Sequence, residues 1–377
     1  MIKVVTSMIY LDYASTTPIS PSTKQFIINR LDTFGNPSSL HQEGIQANKL
    51  ISNARESVAK FINANTDDII FTPSGSASNT LAIKGYVAKH NCILFYSPLL
   101  HKSALEYIKS LHYNKEVLKV DSKGFIDIDN LESRMNPLKY PPFVVIEYAN
   151  SEIGTIQDVK RIIDIVHKYN GIVYLDCTGS ISTIPLDVKE LDVDMAGFSA
   201  HKIGALKGCA VLYKKKHINL EPLIYGTQEQ GLMAGTQNTL GIATLGYVVE
   251  NYNYSSISSI VRDSVYDYIM KNISDSYLIG ATIGDKRLSH NLYMCFKGVE
   301  GESLMMFLDV NGIEVSTGSA CSSGSLQPSS TLVAIGMNKE DIHSCIRMSF
   351  RGNETEFDID YVCHKLKDCV EKLRKFR

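Results

Sequence analysis

Short apolar runs rich in β-branched and aromatic residues recur along the first two-thirds of the chain, at 69–72, 92–96, 143–148, 171–176 and 209–213. Runs of this length and composition read as strands. Between them, 78–89, 103–112 and 159–169 carry apolar residues at helical spacing. Near-continuous apolar strands alternating with amphipathic helices predict an α/β fold with a mainly parallel sheet covered on both faces. Ligands of such sheets sit at the carboxyl ends of the strands. A polar stretch at 250–259 then leads into a helical pattern, a strand at 291–296 and more helix. The expected organisation is a large domain over 16–256 and a small domain built from 1–15 together with 257–377.

The bulk numbers narrow the function classes. A chain of 377 residues suits two domains better than one core. With 44% hydrophobic and 21% charged residues it has the profile of an ordinary soluble protein. A formal net charge of -2 argues against a non-specific nucleic-acid binder, so no direct nucleic-acid contact is expected. No apolar run has the length of a membrane span, and 1–10 lacks the features of a signal peptide. The readable pattern begins at Met8. The expectation is a cytoplasmic protein without membrane contact.

The eight cysteines are Cys92, Cys177, Cys209, Cys295, Cys321, Cys345, Cys363 and Cys369, with no Cys-x-x-Cys pair. Neither a metal nor an iron–sulfur cluster is expected, and most should be buried, reduced thiols.

Three features point to specific chemistry. The run 171–176 ends in Asp176, which projects at the ligand edge of the sheet. Gly197-Phe-Ser-Ala-His-Lys202 places a lysine behind Ser-x-His, read here as a small-residue loop. Phe71-Thr-Pro-Ser-Gly75-Ser76 runs from a strand into a helix over 77–89, whose first N–H groups suit a phosphate. Pyridoxal phosphate needs a lysine for a Schiff base, an acid for its ring nitrogen and a phosphate cradle. Each part alone has a plainer explanation: a surface acid, a solvated lysine, an N-cap. Their conjunction and order favour the cofactor.

Here the sequence resembles the cysteine desulfurases (NifS/IscS-like) of aminotransferase class V, fold-type I pyridoxal-phosphate enzymes. The resemblance covers nearly the whole chain. It rests on Tyr10-Leu-Asp-Tyr-Ala-Ser-Thr-Thr-Pro18, Phe34-Gly-Asn-Pro-Ser38, Leu81-Ala-Ile-Lys-Gly85 and His101-Lys102. It continues through Asn150-Ser-Glu-Ile-Gly154, Gln157-Asp158, Phe198-Ser-Ala-His-Lys202, Gly301-Glu-Ser303, Ser316-Thr-Gly-Ser-Ala-Cys-Ser-Ser-Gly324 and Ile346-Arg347.

The resemblance implies a seven-stranded, mainly parallel sheet between helices, a smaller α/β C-terminal domain and a homodimer. Lys202 would carry the cofactor and move protons. Asp176 would pair with the pyridine nitrogen, His101 would stack on the ring and assist proton transfer as a catalytic residue, and Asn150 would hold the ring oxygen. Gly75, Ser76, Ser199 and His201 would bind the phosphate, and Thr236 would reach the partner subunit's phosphate. Arg347, helped by Asn36 and Asn150, would bind the carboxylate of L-cysteine. A guanidinium suits that task, although a structural ion pair is its plainer use.

Cys321 lies in a glycine- and serine-rich segment too polar for a core. A cysteine so placed suits a nucleophile, which would take the substrate sulfur as a persulfide and pass it to an acceptor protein. Neither selenocysteine lysis nor transamination needs such a residue.

The chain departs from the family at several places. The phosphate turn lacks an acidic residue. Gly179 stands where the family has a Gln that contacts the ring oxygen, a loss for which Thr178 or Asn150 would compensate. Leu232-Met233-Ala234 replaces basic residues before Gly235-Thr236. In these respects the chain is similar to the desulfurases of bacterial DNA-phosphorothioation systems of the Dnd and Ssp type. The alternative is a housekeeping sulfur donor for iron–sulfur cluster assembly or tRNA thiolation.

Overall fold

The computed structural model describes residues 8–136, 138–317 and 328–376. Within them the strands are β1 (Ile9–Tyr10), β2 (Ile69–Thr72), β3 (Ile93–Tyr96), β4 (Lys115–Val117), β5 (Pro142–Glu147) and β6 (Ile172–Asp176). They continue with β7 (Met195–Ser199), β8 (Ala210–Lys214), β9 (Ser276–Leu278), β10 (Asn291–Phe296), β11 (Ile313–Glu314) and β12 (Cys345–Ser349). Seven of them form the central sheet, in the order β2-β8-β7-β6-β5-β3-β4. Only β8 runs against its neighbours, and the other pairings are parallel.

The strand period of two explains the layers. Along β5, Val144 and Ile146 enter one core and Phe143 and Val145 the other. The first core receives Val58 of helix Gln42–Phe61, Ile162 of Val159–Lys168 and Leu245 of Thr239–Glu250. The second receives Leu81 of Gly75–Lys89 and Leu105 of Lys102–Ser110. The result is the fold-type I architecture, a mainly parallel sheet between two helical layers.

A second, antiparallel sheet has the order β12-β10-β9. Helices Ile260–Asn272, Gly301–Val310 and Glu356–Lys375 cover one face through Val265, Leu304 and Leu366. The last helix opens with a capping box between Thr355 and Asp358. β1 pairs in parallel with β11, and the Ser349 N–H donates to Leu11 O. These contacts hold the N-terminal segment against β12, beside the end of the large sheet. No described helix is long and apolar enough to cross a membrane.

The five strands expected in the first two-thirds form, with edges moved by a residue or two, and the strand at 291–296 is as expected. One reading needs correction. The segment before Lys202 is not a loop: Met195–Ser199 is the buried strand β7, and only Ala200–Ile203 turns. Small residues hid it. A Cβ at Gly197 would lie 2.4 Å from the Tyr174 hydroxyl on β6, so this strand must give up the bulk that signals a strand.

Candidate active site

A cavity of about 500 Å³ opens at the carboxyl ends of β5, β6 and β7. Asp176 ends β6 and is buried. Both its oxygens are engaged: Asn79 Nδ2 donates to Oδ2 at 3.0 Å and the Thr178 N–H to Oδ1 at 2.9 Å. Asn79 is itself oriented by the Tyr174 hydroxyl, which donates to its Oδ1. A carboxylate so held keeps its aim.

Lys202 follows β7 on a single turn closed by Gly204, whose φ of 85° favours glycine. Its Nζ lies in the cavity and donates to Ala14 O at 2.6 Å and Ser15 O at 3.0 Å. Across the cavity, Ser74 caps helix Gly75–Lys89 by accepting from the Ala77 N–H at 3.1 Å. The helix therefore begins at Gly75, two residues earlier than its pattern suggested. The Gly75 N–H donates to Ser199 Oγ at 3.0 Å, and a Cβ on Gly75 would come within 2.4 Å of that oxygen. Gly75, Ser76, Ser199 and His201 all line this end. Burial above all, then Lys202 and Lys207, push the His201 imidazole down to about 4, so it is neutral at pH 7.

His101 lines the cavity from the start of helix Lys102–Ser110, where its ring caps the helix by accepting from the Ser103 N–H at 3.2 Å. Asn150 lines it too. Its Oδ1 accepts from the Glu152 and Ile153 N–H groups, and its Nδ2 donates to Leu99 O, each at 2.9 Å. It is thus a turn-forming residue at the cavity wall.

Arg347 projects from β12 and is buried. Its Nη2 bonds Asp12 Oδ1 at 2.7 Å and Ser15 Oγ at 2.8 Å, and its Nη1 donates to Ser151 O at 3.2 Å. Its Nε is buried and has no partner among the described residues. The structural ion pair anticipated as the plainer reading is present, and the guanidinium also lines the cavity.

Two expected residues lie elsewhere. Asn36 is exposed and accepts from the Ser38 N–H at 3.0 Å, and Thr236 is exposed; neither lines the cavity. Cys321 lies outside the described residues. Of the described flanks of its segment, Ser329 lines the cavity, and Thr317 O accepts from the Tyr293 hydroxyl at 3.0 Å.

Two carboxyls were not anticipated. Glu152, mainly through burial, is pushed above the usual carboxylate range, against hydrogen bonds from Ser329 and Thr331. Glu147 ends β5 as the register partner of Asp176. An acid inside an otherwise apolar strand was the available signal. Gly179 is explained by space: a Cβ there would sit 2.6 Å from Ala149 O.

These residues fit pyridoxal phosphate. The cavity offers an amine, a hydrogen-bonded acid on the same strand ends, and a helix start whose Gly75–Ser199 approach leaves no room for a side chain. Two residues that line it, Arg347 and Glu147, each carry a buried polar atom, Nε and Oε2, without a partner among the described residues.

The family described as aminotransferase class V matches residues 9–362. The chain belongs to that family. It is 38% identical, over 97% of its own length and 95% of the relative, to the cysteine desulfurase IscS of Dictyoglomus turgidum. A solved NifS-like protein superimposes with a TM-score of 0.89 at 29% identity, covering 97% of this chain and all of that one. A structure of SspA in complex with cysteine aligns at 29% identity and TM-score 0.79, over 92% of this chain and 99% of that one. This class-V enzyme is therefore a cysteine desulfurase of the NifS/IscS type, and it uses pyridoxal phosphate.

Proposed function

We propose that this desulfurase converts L-cysteine to L-alanine, carries the sulfur as a persulfide on Cys321 and hands it to an acceptor protein. The observation that carries the reading is the convergence of Lys202, Asp176 and Arg347 on one cavity. Lys202, Asp176, Asn150 and the Gly75–Ser76–Ser199–His201 end would hold the cofactor, with His101 against its ring. The pyridoxal group, when bound, supplies an electron sink for charge developing at the substrate α-carbon.

The chain supplies the rest. Arg347 binds the substrate carboxylate through its guanidinium, whose Nε has no partner among the described residues. Lys202 Nζ moves the α-proton. Cys321 Sγ forms the new S–S bond as the substrate C–S bond breaks, so L-cysteine and the Cys321 thiol become L-alanine and a Cys321 persulfide. In a homodimer, Thr236 completes the partner's phosphate site and Asn36 assists at the substrate. The exposed Phe34, Leu40 and Tyr225 near these two residues in sequence support a contact with a second copy.

For the acceptor, the reading is a DNA-phosphorothioation partner, supported by Gly179, by the Leu232-Met233-Ala234 replacement and by the likeness to SspA. The 38% identity to an IscS favours the second reading, delivery to iron–sulfur cluster assembly or tRNA thiolation. The test is alanine and sulfide release from L-cysteine by the cofactor-loaded protein beside Cys321→Ala, with an added dithiol that reduces the persulfide to sulfide and is itself oxidised to the disulfide. Both products from wild type and neither from the variant support the persulfide. Equal release overturns it. Transfer of labelled sulfur to a phosphorothioation partner or to a cluster scaffold separates the acceptors.

A further inference from the structure

Glu147 is 4% exposed and lines the same cavity as Lys202 and Asp176. Its Oε1 accepts from Ser97 Oγ at 3.2 Å and Gln157 Nε2 at 3.4 Å. Its Oε2 is buried with no partner among the described residues. A buried, unmatched carboxylate oxygen is costly, so either a proton or a ligand belongs there.

The register decides which carboxyl holds the proton. Glu147 and Asp176 are direct neighbours on β5 and β6, and paired residues on adjacent strands face the same side. Two carboxyls so placed resist ionising together. Asp176 has two donors, one to each oxygen, whereas Glu147 Oε2 has none among the described residues. The proton therefore belongs on Glu147. Burial foremost pushes the Glu147 carboxyl up to about 7, with Asp176 adding to the rise and hydrogen bonds from the backbone, Ser97 and Gln157 opposing it. The other ionisable groups facing this cavity are Lys202, Lys102, Arg347, Glu152, His101 and His201.

We propose that Glu147 is a further cofactor-binding residue, which as the neutral acid offers its Oε2 hydroxyl to a polar atom of the pyridoxal ring and so supplies from β5 the donor that Gly179 withholds. The proposal rests on the cavity being the pyridoxal-phosphate site. It goes beyond the family's pattern because the donor comes from a different strand.

The test is visible absorption of the cofactor-loaded wild type, Glu147→Gln and Glu147→Met across neutral pH, with circular dichroism as the check on folding. Wild type should show a band change with its midpoint near 7. Glu147→Gln keeps a donor and cannot ionise, so it should hold the low-pH spectrum throughout. Glu147→Met has no donor, so it should lose the low-pH form and bind the cofactor several-fold more weakly. An unchanged transition in the folded Gln variant, or a wild-type spectrum and affinity in Met, overturns the role of Glu147. If wild type takes up no cofactor, the cavity reading fails first and the proposal falls with it.

Discussion

Lys202 and Arg347, 145 positions apart in sequence, meet on Ser15: the Lys202 amine donates to its carbonyl at 3.0 Å and the Arg347 Nη2 to its hydroxyl at 2.8 Å. One N-terminal residue thus spaces the amine that would carry the cofactor from the guanidinium that would bind the substrate. β1 and the Leu11–Ser349 hydrogen bond hold that residue in place. Ser15→Ala removes only the hydroxyl. A hydrogen bond to a charged group is worth about 1.5–3 kcal/mol. The loss falls on Arg347, so KM for cysteine should rise roughly tenfold while cofactor content stays unchanged. Steady-state kinetics beside the visible spectrum check this; a variant that loses cofactor instead would contradict it.

Arg347→Lys keeps the charge but not the fork. An ammonium cannot reach Asp12, Ser15 and Ser151 from one plane while leaving a donor for a carboxylate. KM should rise by one to two orders of magnitude with a smaller change in kcat. Arg347→Ala does more: it strips Asp12 of its partner. Removing one half of a buried ion pair costs about 3–5 kcal/mol, and Asp12 is partly solvated, so the lower end applies. Urea denaturation of the apo-protein measures that loss without reference to catalysis.

The pairing of Arg347 with Asp12 also shows where sequence reading stops. Asp176 and Lys202 were legible because a strand-end acid and a lysine behind Ser-x-His are local patterns. Nothing local joins residue 12 to residue 347; their contact exists because β1 packs beside β12. Glu147 was hidden for another reason. It closes an apolar run, where periodicity counts it as an interruption and not as a group facing the ligand edge. β7 was hidden because Gly197 must make room for Tyr174. Asn36 and Thr236 carry family roles that this chain's own cavity does not include.

Restoring the family's glutamine at Gly179 should harm the protein. The new Cβ would lie 2.6 Å from Ala149 O and 3.2 Å from both the Cβ and the N of Ser151, and two of these three neighbours are backbone. The turn must move, and with it the neighbouring Asn150. Overpacking of this kind costs about 1–3 kcal/mol. Gly179→Gln is expected to lower the melting temperature and weaken cofactor retention, measured by thermal denaturation with and without added cofactor. A variant with tighter cofactor binding and unchanged melting would show that the glycine is not a steric requirement.

Acid sensitivity should follow the buried imidazoles. Burial foremost holds the His201 imidazole down at about 4 and the His290 imidazole at about 3, against 6.5 when unperturbed. Both groups are neutral in the folded chain and take up protons sooner when unfolded. The sign follows from linkage: wherever the unfolded chain binds more protons, stability falls as pH falls. The contribution of these two imidazoles should therefore be complete above pH 6.5 and fall progressively from there toward 4, where His201 begins to charge in place, while the raised carboxyls of Glu147 and Glu152 act in the opposite sense. His290 contributes over the same window and further down. Replacing His290 with Asn removes one titrating group and should flatten the slope, even if it lowers stability at neutral pH through lost packing. Urea midpoints for wild type and His290→Asn across this range decide it. Parallel curves would mean that other groups, the carboxyls among them, govern acid unfolding.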